Sequence, residues 1–179
     1  KKKINQPFLK LSPKDESTAK DSFRKIGINL EKDWFVTLHV RESGWHENTE
    51  REFFRNANIK DYDKAIDHII SHGGKVVRVG SNKMTKLEKK EGLIDYAHSE
   101  FRSEKLDILL AAKSRFCLAT SSGYFNIVGF FNVPIIMTNT SHTIVYYRLK
   151  KRDIFLPCLL KDKEKNELIK FEKTMFPPF

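Results

Sequence analysis

Cysteine is scarce in this chain. Two thiols in 179 residues, Cys117 and Cys158, both in or beside apolar runs, exclude a disulfide framework and a cysteine-rich metal site. They read as small buried hydrophobes in a reducing compartment. No apolar run approaches the roughly 18 residues of a membrane span, and no secretory signal precedes the first strand, so no membrane span is expected. The expected location is cytoplasmic, with peripheral attachment at the inner membrane as the variant. Two phosphate-binding signatures are missing as well: neither Gly-x-Gly-x-x-Gly nor a Walker A loop occurs, which argues against an ordinary dehydrogenase or P-loop NTPase. His46, His98 and His142 lack His-Glu-x-x-His spacing, so no metal site is expected. A start at Lys1-Lys2-Lys3 without Met is expected of an excised or processed piece. No internal repeat or low-complexity tract is present.

What the chain does have is a soluble composition and a surplus of positive charge. Hydrophobic residues make up 40% and charged residues 31%, and the net charge is +10. A domain of this length buries roughly 70% of its unfolded surface, enough for one ordinary core. The basic excess lies in residues 1–3, 86–90, 148–152 and 161–173. It favours anionic partners, whether nucleotide phosphates, nucleic acid or an acidic membrane surface, but scattered surface lysines also serve solubility alone. Charge therefore does not choose the partner.

The hydrophobic pattern sets the fold class. Ser12-Pro13-Lys14-Asp15-Glu16 is a helix start, with a Ser cap, Pro at the first helical position and acids in the first turn. That helix is expected to stop at Gly27. An apolar strand covers 34–40, and a long polar loop 43–60 follows it. A helix from Asp61 places Tyr62, Ala65, Ile66, Ile69 and Ile70 on one face and ends at Gly73-Gly74. Strands are expected at 75–79, 93–96, 116–119 and 133–137, with helices at 103–113 and 123–131 between them. A Lys/Glu-rich helix is expected near 161–173. Alternating strands and helices with nearly continuous apolar strands indicate an α/β fold, a Rossmann-like parallel sheet with helices on both faces. The domain reading is a helical lead or linker at 1–32, a Rossmann-like domain at 33–140 and a C-terminal tail and helix at 141–179.

Two strand ends carry the chemistry. In an open α/β sheet, ligands bind outside the carboxyl ends of the strands. One strand ends in His39-Val40-Arg41-Glu42, and another runs into Thr120-Ser121-Ser122-Gly123 ahead of an apolar helix. A guanidinium at Arg41 can grip two phosphate oxygens at once. His39 lies on the same side of its strand by the period-2 rule. Ser121, Ser122 and Gly123 offer hydroxyls, backbone N–H groups and close approach at a helix start. Together they suit a nucleotide-diphosphate donor. Glu47 or Glu50 of the loop could take a proton from an acceptor hydroxyl, with His46 next. Asp95, Tyr96 and His98 follow a short strand where they would meet a base or ribose, or form only a polar turn. Arg78 sits inside an apolar strand and, if buried, needs an acidic partner or the ligand.

His39-Val40-Arg41-Glu42, Arg55-Asn56-Ala57-Asn58-Ile59 with Tyr62, Ile94-Asp95-Tyr96-Ala97-His98-Ser99 with Arg102-Ser103, and Thr120-Ser121-Ser122-Gly123 with Val133-Pro134 together resemble a family of bacterial glycosyltransferases linked to surface polysaccharides. The resemblance covers roughly residues 33–140 and the Asp153-Ile154-Phe155-Leu156-Pro157 stretch. More distantly, the strand ends are similar to the donor half of fucosyltransferase-like GT-B enzymes. That likeness implies a β-phosphate contact at Arg41, a phosphate contact at Ser121 or Ser122, and a catalytic Glu for which Glu47 and Glu50 are the nearest counterparts. It implies an inverting, metal-independent sugar transfer from a nucleotide-sugar to a glycan or other hydroxyl acceptor, with no further cofactor. A complete GT-B enzyme has two Rossmann-like halves, so the N-terminal acceptor-binding half would come from the same or another chain. The alternatives are a non-catalytic basic domain that binds nucleic acid, and a degenerate half that acts as a scaffold.

Overall fold

The computed structural model describes residues 6–42, 55–140 and 150–170. Six strands, β1 Phe35–His39, β2 Lys75–Arg78, β3 Leu93–Ile94, β4 Cys117–Ala119, β5 Ile135–Thr140 and β6 Ile154–Pro157, form one sheet in the order β3-β2-β1-β4-β5-β6. Every pairing is parallel. The chain builds outward from β1 in one direction, then returns to β4 and builds outward in the other. The reversal point lies between β1 and β4, where such a sheet opens a crevice at its carboxyl edge.

Four α-helices accompany the sheet among the described residues: α1 Pro13–Lys25, α2 Asp63–Ser71, α3 Glu104–Lys113 and α4 Tyr124–Phe130. The Ser12 side chain accepts from the Asp15 N–H and that of Ser103 from the Leu106 N–H, so α1 and α3 begin on capping serines. The period-2 alternation of β1 then sorts the layers. Val36, Leu38 and Val40 pack with Ile66 and Ile69 of α2 on one face. Phe35 packs with Phe23 of α1 and Leu109 of α3 on the other, and α4 covers Cys117, Ala119 and Met137 on that same side. Helices therefore cover both faces. No helix among the described residues is long and apolar enough to cross a membrane.

The structure departs from the sequence pattern in four places. Of the stretch 1–32, expected as a lead, the described residues do not stand apart, because Ala19, Phe23, Ile26 and Ile28 belong to the core beside Phe35, Val77 and Leu110. Within 141–179, residues 154–157 are no tail but strand β6, paired with β5. Ile154 and Leu156 of this edge strand are half exposed, so it has no buried apolar run to announce it. The Lys/Glu-rich helix does not form over 161–170. Asp162 Oδ1 instead accepts from the N–H groups of Glu164 and Lys165, Asn166 takes a left-handed φ of 56°, and Lys161 bridges Leu168. Local side-chain bonds outcompete the helix there. Finally, β3 is only two residues long, and a 3-10 turn at Tyr96–His98 replaces its second half.

Phe23 tests whether α1 is integral. It is fully buried, with its ring 5.3 Å from that of Phe35. Phe23→Ala should lower the unfolding free energy by roughly 3–5 kcal/mol, measured by urea denaturation. A loss under about 1 kcal/mol would mean that the helix is a loosely attached lead.

Candidate functional site

The crevice at the strand reversal is a cavity of about 440 Å³. It is lined from β1 by His39, Arg41 and Glu42, from beyond β2 by Gly80, Lys83 and Met84, and from the start of α4 by Ser122, Gly123 and Tyr124. One residue joins its two sides. Thr120, fully buried just past β4, donates its N–H to the His39 carbonyl at 3.0 Å, and its Oγ1 accepts the Arg41 N–H at 2.8 Å. The ends of β1 and β4 are thereby tied together, and Arg41 shares a cavity with Ser122 and Gly123.

The serines divide. Ser122 lines the cavity, whereas Ser121 is buried and its carbonyl accepts from Arg55 Nη2 at 3.0 Å. Gly123 has an ordinary helical φ of −67°, and a Cβ there would meet nothing within 4 Å. Backbone conformation does not demand glycine at this position; the missing side chain leaves the cleft wall bare.

His39 stacks on Tyr124, ring centroids 5.8 Å apart and planes 13° from parallel. Burial, reinforced by the charges of Arg78 and Arg41, lowers its imidazole from the ordinary 6.5 to about 4. His39 is therefore neutral at pH 7, a hydrogen-bonding group on the cavity wall and not a cation.

Asp95, Tyr96 and His98 do not line this cavity, against the expectation that they meet a base or ribose. Asp95 accepts from Arg78 Nη1 at 3.1 Å and from His98 Nδ1 at 3.0 Å. Tyr96 is fully buried, and its hydroxyl accepts the Ser103 N–H and donates to the Ser103 carbonyl at the start of α3. These three hold the fold around the site. Arg78 finds the acidic partners its burial required, Asp95 and Glu42. Glu47, Glu50, His46 and His142 lie outside the described residues.

Beyond the strand end at 39–42, the charged lining residues are Arg55, Lys83, Arg102 and Asp107, of which the sequence marks only Arg55 and Arg102, as parts of motifs and without a role of their own. Their signal was positional. Lys83 and Arg102 follow β2 and β3, so they fall on the carboxyl side of the sheet. Arg102 Nε donates to the Gly80 carbonyl at 2.8 Å, which holds it on the rim. Asp107, in the first turn of α3, looks like an ordinary helix-start acid. Its Oδ1 is buried without a hydrogen-bond partner, and burial raises its carboxyl above the ordinary value. Among the described residues the lining holds four basic side chains, Arg41, Arg55, Lys83 and Arg102, against two carboxylates, Glu42 and Asp107. Glu42 is already engaged with Arg78. The surplus suits an anion.

Against the expectation that the chain lacks an Asp-x-Asp signature, that spacing occurs at Asp61-Tyr62-Asp63. It sits where a 3-10 turn enters α2, and Asp61 borders a different groove, beside Tyr62 and Leu156. Among the described residues no group of three His, Cys, Asp or Glu side chains could hold a metal ion. The chain was compared with family models, curated proteins and solved structures, and none matches.

The neutral state of His39 makes a pH prediction. Its folded value, about 4, lies below the unfolded 6.5, so unfolding takes up a proton between these limits. Its contribution to stability is complete above about pH 6.5 and is lost as pH falls toward 4. Urea unfolding of wild type and His39→Gln at pH 7, 5.5 and 4.5 should show the wild type losing more stability over that interval. Parallel losses in the two proteins would place the imidazole in water.

Proposed function

We propose that the cleft holds the diphosphate of a nucleotide-sugar and that the chain is the donor-binding half of a GT-B-type glycosyltransferase. One observation supports this above the others. Arg41 and the Ser122-Gly123 turn face a single basic cavity at the reversal point of a parallel sheet. Arg41 would grip the phosphate nearest the sugar, and Lys83 and Arg102 would add charge from the opposite rim. In sugar transfer the bond between the anomeric carbon and the diphosphate oxygen breaks while an acceptor oxygen attacks. Negative charge builds on the departing phosphate, and preorganised cations there lower the barrier. The acceptor proton must go to a base, for which Glu47 and Glu50 remain the candidates. The acceptor itself would be a glycan or other hydroxyl compound held by a second half.

A calorimetric panel of UDP, GDP, CDP and ADP with purified protein tests the reading. At least one should bind saturably, and Arg41→Ala should weaken that binding by roughly 100-fold, the worth of a charge-assisted bidentate contact, without lowering the melting temperature. Unchanged affinity in the variant would end the assignment of Arg41. Binding of every polyanion alike, falling steeply with salt, would point to a nucleic-acid surface instead.

A further inference from the structure

Arg78 is fully buried in β2 between Val77 and Val79. A guanidinium cannot be left there unpaired, because the cost of stripping its water is too high. Two carboxylates from different segments answer it. Glu42 Oε1 accepts from Nη2 at 3.0 Å, and Asp95 Oδ1 accepts from Nη1 at 3.1 Å.

The outer oxygens of these carboxylates are also used. Glu42 Oε2 accepts the Thr85 N–H at 2.7 Å, and Asp95 Oδ2 accepts the Leu87 N–H at 2.9 Å as well as His98 Nδ1. Thr85 and Leu87 belong to the connection between β2 and β3, the same connection that sets Lys83 and Met84 on the cleft wall. Glu42, in turn, is the immediate neighbour of Arg41. One buried cation therefore fixes two acids, and each acid fixes a wall of the cleft.

From this we infer that Arg78, Glu42 and Asp95 are positioning residues, which preorganise Arg41 and the Lys83 segment for an anion. The inference rests on the reading of the cleft as an anion site. It also predicts a sign opposite to that of simple electrostatics. Glu42→Gln removes a negative charge from the wall of a basic cavity, which by Coulomb's law alone should tighten anion binding. In the clamp, both Glu42 oxygens face donors, so an amide must turn its NH2 against either Arg78 or the Thr85 N–H. The same holds for Asp95→Asn. Positioning therefore predicts weaker binding in both variants.

The experiment uses the full chain with two readouts on wild type, Glu42→Gln and Asp95→Asn. The first is amide hydrogen exchange. Thr85 in Glu42→Gln and Leu87 in Asp95→Asn should exchange roughly tenfold faster or more, while Val77 in the sheet stays within about twofold. The second is the calorimetric affinity for inorganic pyrophosphate, expected to fall about tenfold in each variant. If either variant fails to fold, Thr85→Pro deletes that N–H donor while keeping all three charged side chains, with the ring also restraining Met84 beside it, and it should weaken pyrophosphate binding in the same direction. Unchanged exchange at Thr85 and Leu87, or pyrophosphate binding that is unchanged or tighter, overturns the inference. A wild-type chain without affinity for pyrophosphate would instead bring down the anion reading of the cleft, and the exchange data would then report on the clamp by itself.

Discussion

Thr120 is where the geometry of the cleft is decided. Parallel strands β1 and β4 end together at the His39–Ala119 register, and beyond it the backbones would be free to splay. The Thr120 N–H extends the pairing by one bond, and its hydroxyl then stands in for a backbone acceptor to the Arg41 N–H. Because the residue is fully buried, water cannot compete for either bond. The guanidinium side of the cleft and the Ser122 side are thus parts of one rigid edge. That is the kind of support a binding site needs to act on charge without reorganising.

The electrostatics of the region follow a consistent division. The deepest cation, Arg78, is matched by two carboxylates. His39, between that cation and Arg41, is kept neutral by burial and by their charge. The basic side chains on the lining face outnumber the carboxylates there.

How far the pattern could be read depended on burial. Strands covered on both faces, such as Phe35–His39 and Cys117–Ala119, are continuous apolar runs, and their boundaries follow from composition. Strand β6 is also apolar, but it is short and alternately exposed at the sheet edge, and the expected helix does not form over 161–170, where a turn is built by Asp162 and Asn166. At the site, Arg41 and Ser122 were legible because both follow buried strands. Lys83 and Asp107 were not, since each comes from a different segment and neither has a neighbour in sequence to mark it, and Arg102 stood only as part of a motif. Asp95, Tyr96 and His98 show the converse. Their polar chemistry invites a ligand, yet it is consumed by Arg78 and by the start of α3.

The amino-acid order alone determined the alternation of strand and helix, the parallel α/β class, the caps of α1 and α3, and the two strand tips that carry Arg41 and the serine turn. These are local properties, set by side-chain period, capping chemistry and apolar content within a dozen residues. Strand order, the merging of α1 and β6 into one core, the choice of Ser122 over Ser121 and the partners of Arg78 were decided only when distant segments met. Each depends on which groups lose their water together, and that is a property of the packed chain.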